Sequence, residues 1–258
     1  GGRRRQLGAA QADLQRQYRA MWPRLQGVLH PQVPRFGELI DQPGGDGQAL
    51  WLPREWQEGR SYGELLQERA ERQLVFGAGE VVLLLRRLLP ALAALHSQRI
   101  CHGDLCPANL LRRERDGLPV LLDIGPGGVT PGYAPLEQYH SHGKQGPWSD
   151  LYAFGGVLYW MVTGRRPVEA AARVEHDPQV PAVEAALPGA FSEPLLQAID
   201  WALRPQARQR PQSVDAFRAA LAGASEGPGS AGAARAGVPA AVGGPRLAAA
   251  SVVAIGLA

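Results

Sequence analysis

Three oxygen-bearing side chains in the middle of the chain have the spacing that a phosphoryl-transfer site needs. Asp104 and Asn109 lie on one predicted loop, and Asp123 follows a predicted hairpin that returns the chain to that loop. Phosphoryl transfer needs a carboxylate that orients the attacking hydroxyl and hard oxygen ligands that hold Mg²⁺ against the phosphates. Together the three side chains can supply one base and two metal ligands from two adjacent loops. Taken alone, Asp104 could equally cap a turn or a helix.

The elements that must position these residues are predicted from the spacing of apolar side chains. Gly79–His96 is the clearest helix, because its apolar residues recur every three or four positions along one face. Two apolar runs, at 110–111 and 120–122, flank Asp116 and Gly117, a turn dipeptide typical of a β-hairpin. This hairpin is expected to bring Asp123 back to the loop that precedes it.

A buried helix is predicted downstream of these residues. Leu151–Val162 is apolar almost all round, which is typical of a helix in a protein core. Ser149 or Asp150 is its expected N-cap, and Gly164 follows its end. Further amphipathic helices are predicted at 195–203 and 214–221.

Upstream of the site, the sequence predicts one helix and two short strands. Ala12–Leu29 has a helical pattern, and Pro23 is expected to kink or end it. Phe36–Ile40 and Ala49–Leu52 are predicted strands on either side of a turn rich in Pro and Gly. The whole sequence therefore predicts an α+β fold in which helices are the majority.

Five motifs follow one another in order through this region. HGDLCPANLL begins at His102, LLDIG contains Asp123, and GYAPLEQY contains Glu137. SDLYAFGGVLYWMVTGRRP and RPQARQRPQS come after them. These segments resemble the catalytic loop, metal loop, A-P-E segment, central helix and last-helix segment of bacterial eukaryotic-like (Hanks-type) serine/threonine protein kinases. The resemblance runs from Leu14 to Leu221.

The resemblance implies an enzyme that uses ATP and Mg²⁺ to transfer the γ-phosphate to Ser or Thr hydroxyls of protein substrates. Asp104 would be the catalytic base, and Asn109 and Asp123 would hold Mg²⁺ and bound ATP. In the expected hinge between the two lobes, backbone groups near Glu55 and Gln57 would contact adenine.

Six further matched positions are implied to be structural. His102 would pack against the metal loop, Gly125 would let that loop turn, and Thr130 would lie in the loop that seats the substrate hydroxyl. Glu137 would form an ion pair with Arg210, and Asp150 would hold the backbone of the catalytic loop.

The sequence departs from the family pattern in the expected small lobe. It contains no glycine-rich phosphate loop and no strand with a lysine, and its single lysine, Lys144, lies far downstream. No Glu lies between Gly1 and Gly37, so neither member of the family's Lys–Glu ion pair is present in these residues. Gly103 replaces the Arg beside the catalytic aspartate, and Cys106 replaces a phosphate-contacting Lys. We therefore expect this chain by itself to hold ATP phosphates poorly and to be a weak catalyst.

Composition divides the 258 residues into three parts, and the resemblance divides the first of them, 1–222, into two lobes. We expect an incomplete kinase small lobe at 1–59, a helix-rich large lobe at 60–222, and a Gly/Ala/Pro linker at 223–246. Residues 247–258 are uncharged and too few to cross a bilayer, which takes roughly 20 apolar residues. They are interpreted either as an apolar tail or as the start of a transmembrane helix that tethers a cytoplasmic enzyme to the membrane.

Charge and cysteine usage argue against several other classes of protein. The formal net charge is only +3, which argues against nucleic acid as a partner. Two cysteines, Cys101 and Cys106, are too few for a disulfide scaffold or a Cys-only zinc site. Two alternatives stay open: a pseudokinase that binds without transferring phosphate, and a small-molecule phosphotransferase, since H-G-D-x-x-x-x-N also resembles the loop of aminoglycoside and choline kinases.

Overall fold

The computed structural model describes residues 2–44, 47–140, 143–222 and 251–255. Helices and strands in these ranges follow in the order α1 (Gly2–Gln26), β1 (Ile40–Gly44), β2 (Gly47–Arg54), β3 (Gly59–Ser61), α2 (Tyr62–Glu71), α3 (Ala78–Ser97), β4 (Leu110–Arg113), β5 (Pro119–Leu121), α4 (Pro147–Thr163), α5 (Ala182–Ala185), α6 (Glu193–Ala202), α7 (Val214–Ala220) and β6 (Ser251–Ile255). The strands form two antiparallel sheets, β1-β2-β6 and β3-β4-β5. The α+β prediction with a helical majority is confirmed.

The core of the larger, helical part lies between α3 and α4. Every residue of α4 from Ser149 to Val162 is buried, as its all-round apolar character predicts. The predicted apolar face of α3 is buried as well, and it consists of Val81, Leu85, Leu88, Leu92 and Leu95. These two helices form the rigid support against which the loops of the site are held.

The start of α4 differs from the prediction. Pro147 is the first helical residue and Gly146 the N-cap, whose N–H donates to Ser149 Oγ at 3.2 Å. The prediction of Ser149 or Asp150 as N-cap is therefore wrong, because proline is well suited to the first helical position and starts the helix earlier. The end agrees with the prediction, since Gly164 caps the helix with a φ of 71°.

The first helix is longer than predicted. α1 begins at Gly2 instead of Ala12 and continues through Pro23. Pro23 does not end the helix at once, because it lies in the last turn, where its ring removes only the hydrogen bond to the carbonyl of Arg19. The strand predicted to start at Phe36 begins at Ile40 instead.

Helix α2 has no counterpart in the prediction. Ser61 caps its first turn by accepting from the Glu64 N–H at 3.2 Å, and Glu64 accepts in return from the Ser61 N–H at 2.7 Å. This reciprocal capping box, Ser-x-x-Glu, is the local signal that marks the start of the helix.

Part of the expected C-terminal tail is extended. Residues 251–255 form β6, which pairs with β2 so that Val253 lies opposite Leu52. This differs from the transmembrane helix considered for the segment. Residues 223–250 and 256–258, which include the expected linker, lie outside the described residues. No helix within the described ranges is long and apolar enough to span a membrane.

Candidate active site

The β4–β5 hairpin brings the three candidate residues to one place. Asn109 ends a short 3₁₀ turn directly before β4, and its carbonyl accepts from the N–H of Leu122 at 2.8 Å. Asp123 is the next residue, so the hairpin delivers it beside the loop that carries Asn109. The predicted hairpin is thus the element that assembles the site.

Two side chains hold the carboxylate of Asp104 in place. Asn109 Nδ2 donates to the Asp104 backbone carbonyl at 2.8 Å and to its Oδ2 at 3.0 Å. Thr130 Oγ1 donates to Oδ1 at 2.6 Å. Both carboxylate oxygens therefore accept hydrogen bonds, which fixes the side chain in one orientation.

Asp123 occupies a constrained backbone position at the edge of the site. Its φ of 52° lies in the left-handed region, which is unusual for a residue other than glycine and is typical of functional loops. Its side chain is 45% exposed, and Arg54 Nη2 lies 3.4 Å from its Oδ1.

The loop after Asp123 packs closely on its surroundings. Gly125 donates its N–H to the His102 carbonyl at 2.9 Å and adopts a φ of 147°. A Cβ at Gly125 would lie 2.4 Å from the ring of Tyr18, so α1 approaches this loop directly. Burial, and the nearby carboxylates of Asp123 and Asp104, raise the pKa of the Tyr18 phenol to about 12.

The side chain of His102 lies in the protein interior. Its side chain is completely buried, and neither ring nitrogen has a hydrogen-bond partner among the described residues. Burial lowers its pKa despite the opposing attraction of Asp150 and Asp104, so the imidazole is neutral.

Asp150 supports the backbone of the catalytic loop. Its carboxylate accepts from the N–H groups of His102 at 2.8 Å and Gly103 at 3.1 Å. His96, at the end of α3, places Nε2 2.7 Å from the same carboxylate. Asp150 is 2% exposed, so α3, α4 and the loop are joined by one buried acceptor.

A buried ion pair fixes the segment after the loop. Arg210 Nη1 donates to Glu137 Oε1 at 2.8 Å and Nη2 donates to Oε2 at 3.2 Å. Arg210 also donates to the carbonyls of Arg204 and Pro205, both at 2.7 Å. The Arg210 side chain has no exposed surface, and these four acceptors compensate for the burial of its charge.

A family model of the protein kinase domain matches residues 12–221. The chain belongs to the protein kinase domain family. This kinase domain is 35% identical over 140 residues to "Serine/threonine-protein kinase-like protein E" of Synechocystis sp., which covers 54% of this chain and 20% of the relative. It is 29% identical over 207 residues to "Serine/threonine-protein kinase PkaA" of Streptomyces coelicolor, with 74% of this chain and 36% of the relative covered.

Solved structures agree with the fold of the kinase domain. The structure "PpkA-294 apo form" is 27% identical with a TM-score of 0.68, and the match covers 82% of this chain and 75% of that one. The Mycobacterium tuberculosis PknI kinase domain has a TM-score of 0.64 at 21% identity, covering 81% and 78%, which shows likeness of fold alone. The chain spans about a fifth to a third of the length of the two curated relatives.

Protein kinases use ATP and a divalent metal ion, and this kinase domain has oxygen donors that fit such a cation. The amide nitrogen of Asn109 donates to Asp104, and its side-chain oxygen accepts no hydrogen bond from the described residues. Asp123 keeps nearly half of its side chain exposed. No group of three or more His, Cys, Asp or Glu converges within the described ranges. A set of one or two protein oxygen ligands completed by phosphates is the usual arrangement for Mg²⁺.

The expected hinge residues of the kinase domain follow β2. The Glu55 N–H donates to the Arg35 carbonyl at 2.8 Å, and Glu55 Oε2 accepts from the Arg35 N–H at 3.3 Å. Among the described residues, no hydrogen bond engages the backbone of Gln57. Both residues also line a cleft of about 310 Å³ together with Val28 and His30.

The surroundings of both thiols near the site raise their pKa values. Burial, with a smaller effect of Asp104, raises the pKa of Cys106. Burial and the nearby Asp150 raise the pKa of Cys101 to about 12. Protonated thiols are poor nucleophiles, so neither cysteine is expected to act as one.

Two residues at the site were missed by the sequence analysis. Tyr18 reaches the metal loop from α1, and nothing in the sequence pattern marks it. Arg54 reaches Asp123 from the end of β2, and its only sequence signal is a charge at the end of a short apolar strand.

Proposed function

We propose that this chain is the catalytic domain of an ATP- and Mg²⁺-dependent protein serine/threonine kinase. The observation that carries the proposal is the hydrogen bond from Thr130 Oγ1 to Asp104 Oδ1, at 2.6 Å. It is the same type of bond that a Ser or Thr hydroxyl of a protein substrate would form with this carboxylate. Asp104 is thus oriented to accept a hydrogen bond from an aliphatic hydroxyl.

Each residue of the site then has a defined task. Asp104 orients the attacking hydroxyl and takes its proton, and Asn109 keeps that carboxylate in position. The free side-chain oxygen of Asn109 and the carboxylate of Asp123 hold Mg²⁺. When bound, the metal supplies neutralisation of the charge on the transferred phosphate.

The two lobes of the proposed kinase are residues 1–59 and 60–222, with ATP between them. Adenine contacts the segment that joins β2 to β3. Because the Glu55 N–H is bonded to Arg35, the Glu55 carbonyl and the backbone of Gln57 are the groups that remain for the base.

A pseudokinase is the second candidate, favoured by one specific contact. A Cβ at Gly128 would lie only 2.2 Å from the carboxyl group of Asp104, so the loop after Asp123 lies directly over the proposed base. In a pseudokinase this loop would stay closed, whereas in a kinase it must move for a substrate hydroxyl to enter.

Transfer of the γ-phosphate from labelled ATP to Ser/Thr peptides tests the proposal. We expect phosphoserine or phosphothreonine to form only with Mg²⁺, and Asp123→Asn to lower the rate by about a hundredfold or more. Asp215→Asn is the matched control, because Asp215 is an exposed carboxylate on α7. Binding of ATP without metal dependence and without transfer would instead support the pseudokinase. Transfer to choline or aminoglycosides but not to peptides would indicate a small-molecule phosphotransferase.

A further inference from the structure

The last residue of β2 places a positive charge at the proposed metal ligand. The side chain of Arg54 is only 14% exposed, and its Nη2 lies 3.4 Å from Asp123 Oδ1. This ion pair joins the β1-β2-β6 sheet to the metal loop across 69 residues of sequence. The pairing is a property of the fold, because neither residue is near the other in the chain.

Most N–H donors of this guanidinium have no protein acceptor among the described residues. Within the described ranges Arg54 takes part in that one ion pair and in no side-chain hydrogen bond, and its Nε is buried without a partner. A guanidinium has five N–H donors in a planar fork. Holding it nearly buried with one partner is unfavourable unless a further acceptor binds there. The structure thus contains a cation with spare N–H donors beside Asp123, the proposed metal ligand.

Phosphate oxygens are the acceptors that this environment fits. Two carboxylates, Asp104 and Asp123, lie at the site and would repel a triphosphate, so a nearby cation is needed to offset them. The single lysine of the chain, Lys144, is exposed in the segment before α4 and does not supply that charge. Arginine binds phosphate with two parallel N–H donors, which suits an arginine held at the wall of such a site.

Building on the proposed function, we propose that Arg54 is the phosphate-binding cation of this nucleotide site. Its guanidinium donates to phosphate oxygens of ATP while Asp123 binds the metal. Arg54 is therefore a binding residue that touches the nucleotide, and its position on β2 brings the charge from the small lobe. This differs from the expectation that this chain by itself holds ATP phosphates poorly.

Calorimetric titration of the 258-residue chain with MgATP and with adenosine tests this role, because adenosine lacks the phosphates. We expect Arg54→Met to weaken MgATP binding by about tenfold to a hundredfold while adenosine affinity stays within about twofold. Arg54→Lys keeps the charge and is expected to lose less than about tenfold. Arg19→Met is the matched control, since Arg19 forms an exposed ion pair with Asp41 in the same lobe, and it should bind both ligands like the wild type.

Three results would overturn the proposal. Unchanged MgATP affinity in Arg54→Met would show that the guanidinium does not meet the phosphates. Tighter MgATP binding would show that Arg54 only neutralises Asp123 and competes with the metal. Equal losses for MgATP and adenosine would assign Arg54 a purely structural role. None of these measurements requires phosphate transfer, so a chain that binds ATP through Arg54 but transfers nothing would refute the proposed kinase activity alone.

Discussion

At the scale of single residues, the two carboxylates of the candidate site have different surroundings. Asp104 is fixed by Asn109 and Thr130, whereas Asp123 is left half exposed. The two ring nitrogens of His102 have no hydrogen-bond partner within the described residues, and burial favours the neutral form of the ring. A histidine buried in its neutral form makes the stability of the fold depend on pH.

Replacement of His102 should flatten that pH dependence. The folded-state pKa of His102 lies below the unfolded value of about 6.5, so the unfolded chain binds more protons just below that pH. The stabilisation is therefore complete above about pH 6.5 and is lost as the pH falls, by up to about 1.4 kcal/mol per pH unit. Urea unfolding at about pH 7.5 and 5.5 should show a smaller loss in His102→Phe than in the wild type. The exposed His176, changed to Gln, is the control, and equal losses in wild type and His102→Phe would contradict the account.

At the scale of elements, two loops of the site are locked together by backbone contacts. Gly103 has a φ of 81°, and a Cβ there would lie 2.5 Å from the carbonyl oxygen of Gly125. The Gly125 N–H in turn donates to the His102 carbonyl. The catalytic loop and the metal loop therefore fit only because position 103 has no side chain, which gives a steric reason for the missing arginine noted in the sequence.

A side chain at position 103 should disturb both loops. We expect Gly103→Ala to destabilise the fold by at least about 1–2 kcal/mol, from the left-handed backbone alone. Gly79→Ala is the matched control, because its Cβ would meet nothing within 4 Å in α3, and it should be neutral or stabilising. Thermal unfolding of both variants measures the difference. Equal stability of Gly103→Ala and the wild type would show that the loops are not in contact as described.

Elements with a strong local pattern were predictable, and those set by distant contacts were not. Periodic apolar residues predicted α3, an all-round apolar segment predicted α4, and a turn dipeptide predicted the β4–β5 hairpin. The short helix α2 was missed although its capping box at Ser61 and Glu64 was readable. Arg54 and Tyr18 were missed for a different reason, since their roles depend on which strand or helix the fold places beside the metal loop.

At the scale of the whole molecule, the first helix and the segment after it are tied to the rest of the fold by hydrogen bonds. Arg24 Nη1 in α1 donates to the carbonyls of Gln98 and Arg99, after α3, both at 3.2 Å. The Leu121 N–H in β5 donates to the Gln32 carbonyl at 2.8 Å. Together with the Arg54–Asp123 ion pair and the contact between Tyr18 and Gly125, these hydrogen bonds hold α1 and β2 beside the loop that carries Asp123. The site is therefore a product of both parts of the fold, even though its three central residues lie within one segment.

The most direct test of the central claim is the single-turnover rate of phosphate transfer at saturating MgATP in the wild type and in Asp104→Asn. The account predicts a measurable wild-type rate, since the base is oriented and the metal ligands are present. It predicts that Asp104→Asn lowers this rate by about a hundredfold or more, whereas the Kd for MgATP changes by less than about threefold. Transfer by Asp104→Asn at the wild-type rate would contradict it.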